Sequence, residues 1–303
     1  MKWCSSIEIR RCRPLLGTFV EIAVCGRNAR LLDRAIDAAF ASVEKVSRLM
    51  SYHDRESDVS RMNCEAFPKS TVVHPWTWQV LQAAQRFARE SNGIFDIAVA
   101  PFLVRWDYLP RHRHRLGNHA TWRDIFLRKN CRVFFRRQLV IDLGGIAKGF
   151  AVDRAAAALK RSGVEAGIVN AGGDLRVFGP VSQVIHVRHP AKPAVAAGTV
   201  RLSERAMATS GVYFARRRHH GQYVSPLLDG CTGQPARKLI SVSVAAAECM
   251  VADALTKIVF ALREQAAGLL AQYCADALIL ERDGTPSWRF ISSCDTPAPT
   301  QLD

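Results

Sequence analysis

The chain has 303 residues, 49% of them hydrophobic, and a formal net charge of +15 at neutral pH. This apolar content is enough to bury a large core, and no run of eighteen apolar residues occurs, which excludes a membrane-spanning helix. The basic balance indicates a surface that attracts anions, such as a dinucleotide, an acidic protein, nucleic acid or a lipid headgroup, without choosing among them.

The cysteines and the first residues of the chain bear on its compartment. Nine cysteines are scattered singly, with no CxxC pair. This pattern indicates reduced thiols rather than a disulfide framework or a zinc site. The start, MKWCSSIEIRRCRP, carries charge but is not followed by an apolar stretch of signal-peptide length. We therefore expect a cytoplasmic protein without a signal peptide.

The first half of the chain alternates between strand and helix patterns. Residues 18–24 alternate in polarity and predict a strand. Residues 31–49 have apolar side chains at helical spacing and predict an amphipathic helix, and residues 76–92 predict another. Residues 108–137 are strongly basic and are interpreted as a solvated loop. A nucleic-acid patch is the weaker alternative, because few aromatic residues are interleaved, so we expect no nucleic-acid partner.

A glycine turn at residues 144 and 145 is the most informative local feature. A short strand ending in Asp142 precedes it, and a helix containing Lys148 follows. The start of that helix offers unpaired N–H groups and a positive dipole end, which suit an anionic ligand flanked by Asp142 and Lys148. The alternative is that the glycines only shape a turn and that Asp142 caps the helix.

The second half reads as strands around one more helix. Residues 181–203 predict short strands around a turn at 190–198, and residues 241–244 predict another strand. Residues 249–262 predict a helix, and residues 276–280 predict a closing strand. The Pro/Ser/Thr-rich tail from residue 283 is expected to be frayed.

Six sequence blocks resemble, in order, those of the ApbE family of FAD:protein FMN transferases. The central block, DLGGIAKGFAVD at 142–153, resembles the family's DLGGIAKGYAVD. The other five are LGT at 16–18, the segment from MSYH to Asn63 at 50–63, GIFDIAVAPFLVRW at 93–106, ATSGVY at 208–213 and ADALTK at 252–257.

The resemblance implies both a fold and an activity. The fold is an α+β, T-fold-like unit of two lobes with a ligand cleft between them. It forms one domain over residues 1–303, with a core of about 14–282 and short tails. The activity is cleavage of FAD, transfer of FMN through its phosphate to a threonine or serine of an acceptor protein, and release of AMP. The implied partners are FAD and that acceptor protein.

The resemblance also assigns residues to roles. The implied catalytic residues are Lys148, Asp253 and Lys257. The aromatic position near the flavin falls on His53, with Tyr52 beside it, and either ring is a candidate for stacking. The positions implied to bind FAD are Leu16, which stands where the family has methionine, His53, Ile94, Phe95, Asp96, Asp142, Lys148 and Pro226.

The first departure from the family pattern is at Pro226, which replaces a histidine. Proline has no titratable side chain, so the contribution of that imidazole is absent from this position. His219 and His220 lie just upstream and could substitute for it. Two histidines after three arginines are, however, more typical of an exposed turn.

The second departure concerns a metal. The family implies Mg²⁺ held by the main-chain oxygen of Gly145, by Asp253 and by a threonine whose position Lys257 occupies. A protonated ammonium has no lone pair for a metal. Lys257 either pairs with Asp253 along the helix, for about 0.2 to 0.5 kcal/mol, or takes the cation's place beside the pyrophosphate. The alternative function is a non-catalytic FAD-binding paralogue or a partner-recognition protein.

Overall fold

The structure, a computed structural model, describes residues 7–112, 120–180, 182–189, 192–212, 215–235, 239–283 and 285–291. The chain forms a mixed α+β fold. Its α-helices are α1 Ala29–Met50, α2 Asp58–Glu65, α3 Pro75–Glu90, α4 Ala100–Arg105, α5 Ala147–Arg161, α6 Cys249–Leu262 and α7 Ala267–Gln272. Its strands are β1 Ile7–Leu15, β2 Thr18–Gly26, β3 Thr71–Val72, β4 Ile125–Arg128, β5 Arg132–Phe135, β6 Ala166–Ala171, β7 Asp174–Phe178, β8 Gln183–His189, β9 Lys192–Leu202, β10 Ala206–Gly211, β11 Arg217–His219, β12 Gln222–Val224, β13 Leu239–Ala246, β14 Asp276–Asp283 and β15 Thr285–Ile291.

The largest sheet has eight strands in the order β1-β2-β6-β7-β10-β13-β14-β15, and each neighbouring pair is antiparallel. The predicted strand at 18–24 is confirmed as β2. Its edge partner β1 was missed, because only Ile9 of that strand is buried and its sequence carries no clear apolar alternation. A mostly exposed edge strand gives little hydrophobic signal.

Helices α1, α5 and α6 cover one face of this sheet and create the main core. Inward side chains such as Ile22, Val169 and Val242 are fully buried there. On the other face, the β8–β9 hairpin forms a smaller apolar cluster in which Val187 and Leu202 join residues of the sheet. The sheet therefore buries both faces over its middle strands, as expected for a layered domain.

The chain between α1 and α5 forms a second, three-stranded sheet in the order β3-β5-β4. The prediction of a solvated loop over residues 108–137 is wrong here, since β4 and β5 form a hairpin with Ile125, Val133 and Phe135 buried. Basic side chains at its exposed positions concealed the alternation. Residues 113–119, which contain most of the RHRHR run, lie outside the described residues.

The predicted strand before the glycine turn is wrong. Residues 138–143 belong to no strand. The amide of Asn63 replaces a strand partner, since Ile141 N–H donates to Asn63 Oδ1 at 2.8 Å and Asn63 Nδ2 donates to the Ile141 carbonyl at 3.0 Å. The backbone N–H of Asp142 donates to the carbonyl of Ile97 at 2.9 Å. Buried backbone groups need partners, and these contacts satisfy them without a ladder.

The helix predicted after the turn is confirmed as α5, and Gly163, with φ of +82°, follows its last residues. The strands predicted at 181–203 are confirmed as β8 and β9. The turn between them is shorter than predicted, because β9 already begins at Lys192. The frayed tail is wrong for residues 285–291, which pair with β14 as an edge strand. Edge strands tolerate proline, which helps explain why the Pro-containing segment was misread.

Candidate functional site

Two adjoining cavities, with volumes of about 410 and 420 Å³, lie beside the glycine turn. Leu109, Asp142, Gly144 and Lys148 line both of them, so the two form one continuous cleft. Each volume falls in the range typical of small-molecule sites. An elongated ligand would extend from one cavity into the other past these four residues.

The structure gathers nearly all of the predicted site residues around this cleft. Ile94, Phe95, Asp96, Gly145, Pro226 and Lys257 line the first cavity, Leu16 and His53 line the second, and Asp142 and Lys148 line both. Asp253 lines neither cavity. It lies fully buried directly behind the cleft wall and reaches the cleft through Lys257.

The backbone N–H groups near the glycine turn are partly occupied. Asp142 Oδ2 accepts from Gly144 N at 3.0 Å, so its carboxylate stabilises the turn, and α5 has no side-chain cap. Gly149 N, in the first turn of α5, donates to Asp253 Oδ2 at 3.0 Å. The carboxylate of Asp253 on α6 therefore partly neutralises the positive N-terminal end of α5. Fewer N–H groups are available to a ligand than the sequence predicted.

Gly149 is the reason that Asp253 can reach α5. A Cβ added at Gly149 would lie 2.4 Å from the carbonyl oxygen of Cys249 and 2.8 Å from Cβ of Asp253. Such distances are not compatible with a side chain, so only glycine permits this approach of α5 and α6. The close approach brings the carboxylate of one helix to the N-terminus of the other.

Four charged side chains form what we call the buried charge cluster, which consists of Lys148, Asp174, Asp253 and Lys257. Lys148 Nζ lies 2.8 Å from Asp174 Oδ2, and Lys257 Nζ donates to Asp253 Oδ1. Both carboxylates are almost completely buried, whereas the lysine side chains retain 31% and 18% of their exposure, on the cleft side. The cluster is neutral overall, with its cations toward the cleft.

The surroundings of the Lys148–Asp174 pair favour the charged form of the lysine and disfavour that of the carboxylate. Although burial acts to lower it, the pKa of Lys148 is raised overall by the carboxylates of Asp174 and Asp253. Burial, followed by the charge of Asp253, raises the pKa of Asp174. The helix-surface pair that we considered for Lys257 is present as a contact, but Asp253 is fully buried, so the surface magnitude of a few tenths of a kcal/mol does not apply.

A row of hydroxyl groups supports the cluster. Ser210, which lines the first cavity, lies 2.8 Å from Thr256 through their side-chain oxygens, and Thr256 donates to the carbonyl of Asp253 at 2.7 Å. Thr256 and Asp174 were not predicted from the sequence to belong to the site. Spacing offers a signal for Thr256, since residues three apart share a helix face with Asp253. Asp174 follows a glycine pair, and only the folded hairpin brings it to Lys148.

The donor set does not fit Mg²⁺ at the position that the family pattern implies. Magnesium takes oxygen ligands in a near-octahedral set. Both oxygens of Asp253 are engaged, one by Gly149 N and the other by Lys257, whose ammonium has no lone pair to offer. In the ranges that the structure describes, no three His, Cys, Asp or Glu side chains come together as a ligand group.

The acidic groups in the cleft wall lose their charge more readily than ordinary carboxylates. Burial raises the pKa of Asp96 to about 6, despite hydrogen bonds from the backbone of Ala98 and Trp122. Burial also raises the pKa of Asp142. Desolvation, together with Asp142, raises the pKa of Tyr52 to about 12. A wall that favours neutral acids repels an anionic ligand less.

The remaining ring candidates separate clearly. Tyr52 and His53 both line the second cavity, but Tyr52 is only 3% exposed and packs on His112 at a ring distance of 5.1 Å. His53 is exposed. His219 and His220 contact each other at 4.3 Å, and neither lines the two cavities. They therefore do not take the place of the imidazole missing at Pro226.

Comparison with known proteins gives a consistent result. The sequence model of the ApbE family matches residues 16–279 of this chain. The FAD:protein FMN transferase of Vibrio cholerae is 28% identical over 267 residues, covering 80% of this chain and 78% of that protein. The FAD:protein FMN transferase of Treponema pallidum is 25% identical over 311 residues, covering 91% and 85%.

Solved structures match as well. The crystal structure of the ApbE protein from Thermotoga maritima superposes with a TM-score of 0.81 at 28% identity, covering 93% of this chain and 96% of that one. The flavin transferase ApbE from Vibrio cholerae superposes with a TM-score of 0.79 at 24% identity, covering 95% and 98%. Across the parts described, no helix is both long and apolar enough to cross a membrane.

Proposed function

The chain belongs to the ApbE family, and from that premise we propose that it is an FAD:protein FMN transferase. The carrying observation is the shape and charge of the cleft, in which two cavities join at Lys148. FAD has two ring systems joined by a pyrophosphate. We place the pyrophosphate at the junction, beside Lys148 and Lys257, with one ring system in each cavity.

The proposed reaction moves a phosphoryl group between oxygens. The hydroxyl oxygen of a threonine or serine in an acceptor protein attacks the phosphorus on the FMN side of the pyrophosphate. The bond from that phosphorus to the bridging oxygen breaks, and AMP leaves with that oxygen. Lys148 and Lys257 stabilise the charge that develops on the phosphoryl oxygens. The hydroxyl proton passes to solvent, because Pro226 supplies no base, so we expect slow transfer.

We also propose that Lys257 provides, beside the pyrophosphate, the positive charge that Mg²⁺ would supply according to the family pattern. Lys257 lines the first cavity, and its ammonium is held by a buried carboxylate. Because this positive charge belongs to a side chain of the protein, it is always present, and no free metal ion is required to supply it. FAD should therefore bind without a divalent ion. The absence of a magnesium-compatible ligand set at Asp253 supports this part of the proposal.

A second candidate function rests on the same two departures. With Pro226 in place of a histidine and Lys257 in place of a threonine, the chain could bind FAD without transferring FMN and recognise a partner instead. The cytoplasmic location that we propose, supported by the lack of disulfide bonds among the cysteines of the described residues, suits either role. The two functions differ in their products, which makes them separable.

The decisive experiment supplies FAD and a candidate acceptor protein in the presence of Mg²⁺ or of EDTA. We expect AMP release and a covalent FMN adduct on the acceptor by intact-mass spectrometry under both conditions. Lys148→Met should abolish both products, whereas Lys160→Met, an exposed lysine of the same helix, should not. Bound FAD without AMP from any acceptor would favour the non-catalytic candidate, and failure to bind FAD would exclude both.

A further inference from the structure

A small hairpin stands at the rim of the cleft. The chain leaves the first cavity at Gly211 and returns to it at Pro226, since both residues line that cavity. Between them, β11 and β12 pair only with each other in the sheets that the structure describes. We call residues 215–224 the rim hairpin. Its place in the chain puts it where a macromolecular substrate would approach the cleft.

Tyr108 fastens the rim hairpin to the cleft wall. Its ring lines the first cavity, and its hydroxyl lies within hydrogen-bonding distance of the carbonyls of Ala215, at 2.5 Å, and Val224, at 3.0 Å. These two carbonyls lie at the two ends of the hairpin. A single side chain therefore fixes the base of the hairpin relative to the cavity, so the outer residues keep a defined position.

Three consecutive arginines, Arg216, Arg217 and Arg218, make the rim hairpin strongly basic, and all three are exposed. Among the described side chains, no carboxylate lies within 4.0 Å of any of their guanidinium groups, whereas Arg11 on β1 pairs with Asp33 at 2.9 Å. The three arginines thus carry positive charges that no carboxylate among the described residues balances at contact distance.

Aromatic rings hold two of these arginines in place. The guanidinium of Arg216 lies 3.6 Å from the ring centre of Tyr223, and that of Arg217 lies 3.8 Å from the ring centre of Tyr108. Such contacts order a long side chain without neutralising it. Ordering before binding reduces the entropy lost when a partner is bound. The arginines are therefore arranged for an anionic partner.

The composition of the hairpin favours a protein over a membrane surface. Membrane-surface segments combine cations with apolar side chains that enter the lipid. The rim hairpin reads ARRRHHGQYV, its Val224 is buried, and its one exposed large apolar side chain, Tyr223, is covered by the guanidinium of Arg216. The hairpin therefore exposes no large aliphatic side chain that could enter lipid. Arginine forms paired hydrogen bonds with carboxylates and with phosphates, and its planar fork matches both. The proposed reaction brings an acceptor protein to this rim, which favours the carboxylates of that protein. Acidic side chains on a peptide are the partner that this surface fits.

We propose that the rim hairpin binds an acidic segment of the acceptor protein next to the hydroxyl that receives FMN. This inference rests on the proposed function. The acceptor hydroxyl must enter the cleft, and the residues flanking it then pass over the rim. Acidic flanking residues would contact Arg216, Arg217 and Arg218 and would hold the hydroxyl near the cleft junction. Recognition of this kind would act mainly through the association of acceptor and enzyme.

The test measures peptide binding without any flavin chemistry. A fluorescent peptide with one threonine between glutamates is compared, by fluorescence anisotropy at low ionic strength, with a version carrying glutamines. We expect the acidic peptide to bind about tenfold more tightly, since three exposed pairs contribute modestly each. The preference should vanish near 1 M salt, where the screening length is about 3 Å.

The matched variants remove equal charge at two hairpins. Arg216→Gln, Arg217→Gln and Arg218→Gln together should erase the preference. Arg128→Gln, Lys129→Gln and Arg132→Gln, at the exposed β4–β5 turn, should leave it intact. Loss of the preference in both triple variants would overturn the proposal, as would an unchanged preference in the first. The triple arginine-to-lysine variant should retain part of the preference and shows that loss does not reflect misfolding.

Further outcomes distinguish this inference from binding of lipid or nucleic acid and from the proposed function itself. Anionic phosphatidylserine vesicles or a single-stranded oligonucleotide that bound through the three arginines, with no acidic-peptide preference, would overturn the protein-partner assignment. If FMN reaches acidic and neutral acceptor peptides equally well, the inference fails while the proposed function stands. If acidic peptides bind through the rim hairpin but no FMN is ever transferred, the proposed function fails while the recognition surface stands.

Discussion

Two groups of cations flank one cleft, and they differ in what balances them. In the buried charge cluster each ammonium contacts a buried carboxylate, whereas the arginines of the rim hairpin contact aromatic rings and, among described residues, no carboxylate. Burial makes an unpaired charge costly, whereas water tolerates it. Depth therefore decides which cations need a counter-charge from the protein itself and which remain open to a partner.

The difference also changes how each group would meet an anion. A phosphate approaching Lys148 or Lys257 competes with Asp174 or Asp253 for the same ammonium. An acidic peptide approaching the rim hairpin competes only with water and salt ions. Interior binding should therefore be specific and weakly salt-dependent, and rim binding should be fast and strongly salt-dependent. The net charge of +15 alone does not reveal this division.

Removing a buried counter-charge should cost far more stability than removing an exposed one. Asp253→Ala leaves the ammonium of Lys257 and the N–H of Gly149 without their partner. We expect a loss of about 3 to 5 kcal/mol in the free energy of unfolding, measured by urea denaturation. Asp33→Ala, which removes the exposed partner of Arg11, should cost at most about 1 kcal/mol. Equal losses would contradict the comparison.

Asp96 is a buried carboxylate that no ammonium or guanidinium contacts in the described ion pairs. Because its folded pKa of about 6 exceeds the unfolded value near 4, the native state binds this proton more tightly. The stabilisation is complete below pH 4 and is lost as the pH rises through 6.

The measurement compares the free energy of unfolding of the wild type with that of Asp96→Asn across this pH range. The variant cannot titrate at this position. The wild-type advantage over the variant should therefore shrink by up to about 3 kcal/mol between pH 4 and pH 7. Parallel pH profiles for the two proteins would show that burial does not raise the pKa of this carboxyl group.

Lys257→Thr tests whether the inner cation serves the ligand. We expect FAD affinity measured in EDTA to fall about 10- to 100-fold, since a hydrogen bond to a charged group contributes about 1.5 to 3 kcal/mol. Mg²⁺ should restore part of this affinity, because the variant gains a hydroxyl and frees an oxygen of Asp253. Lys160→Thr, at an exposed site, should behave as wild type. Wild-type affinity that rose by orders of magnitude with Mg²⁺ would refute the proposal.

The smallest expected effect is on the stability of the rim. Replacing Arg216, Arg217 and Arg218 by glutamine removes contacts with Tyr223 and Tyr108 but leaves no buried charge unpaired. We expect a cost of about 1 kcal/mol or less in thermal or urea unfolding. A cost near that of Asp253→Ala would mean that the rim arginines are structural, and the contrast between the two groups would fail.

The sequence was sufficient to predict those elements and residues that belong to a regular pattern. Helix α1 showed its apolar spacing, and the glycine turn before α5 showed its break. The chain gave no comparable signal where a side chain replaces backbone pairing, as Asn63 does for Ile141, or where an edge strand such as β1 is mostly exposed. In both cases the deciding contact joins segments that are not marked by local periodicity.

The site followed the same division. Residues inside recognisable motifs, including Lys148 and Lys257, were found from the sequence and lie together on the cleft. The partnership of Lys148 with Asp174, and the support of Asp253 by Thr256, depend on how α5, α6 and the β6–β7 hairpin pack. Which carboxylate faces which ammonium is a property of packing, and linear spacing does not encode it.

The contact at Gly149 has a mechanical consequence. With no side chain between them at that point, α5 and α6 are held against one another, and a hydrogen bond ties them across the gap. Sliding one helix past the other would bring their backbones into steric conflict. We therefore expect α5 and α6, which carry Lys148 and Lys257, to move together as one rigid unit. Any opening that admits a large substrate must then come from segments other than α5 and α6.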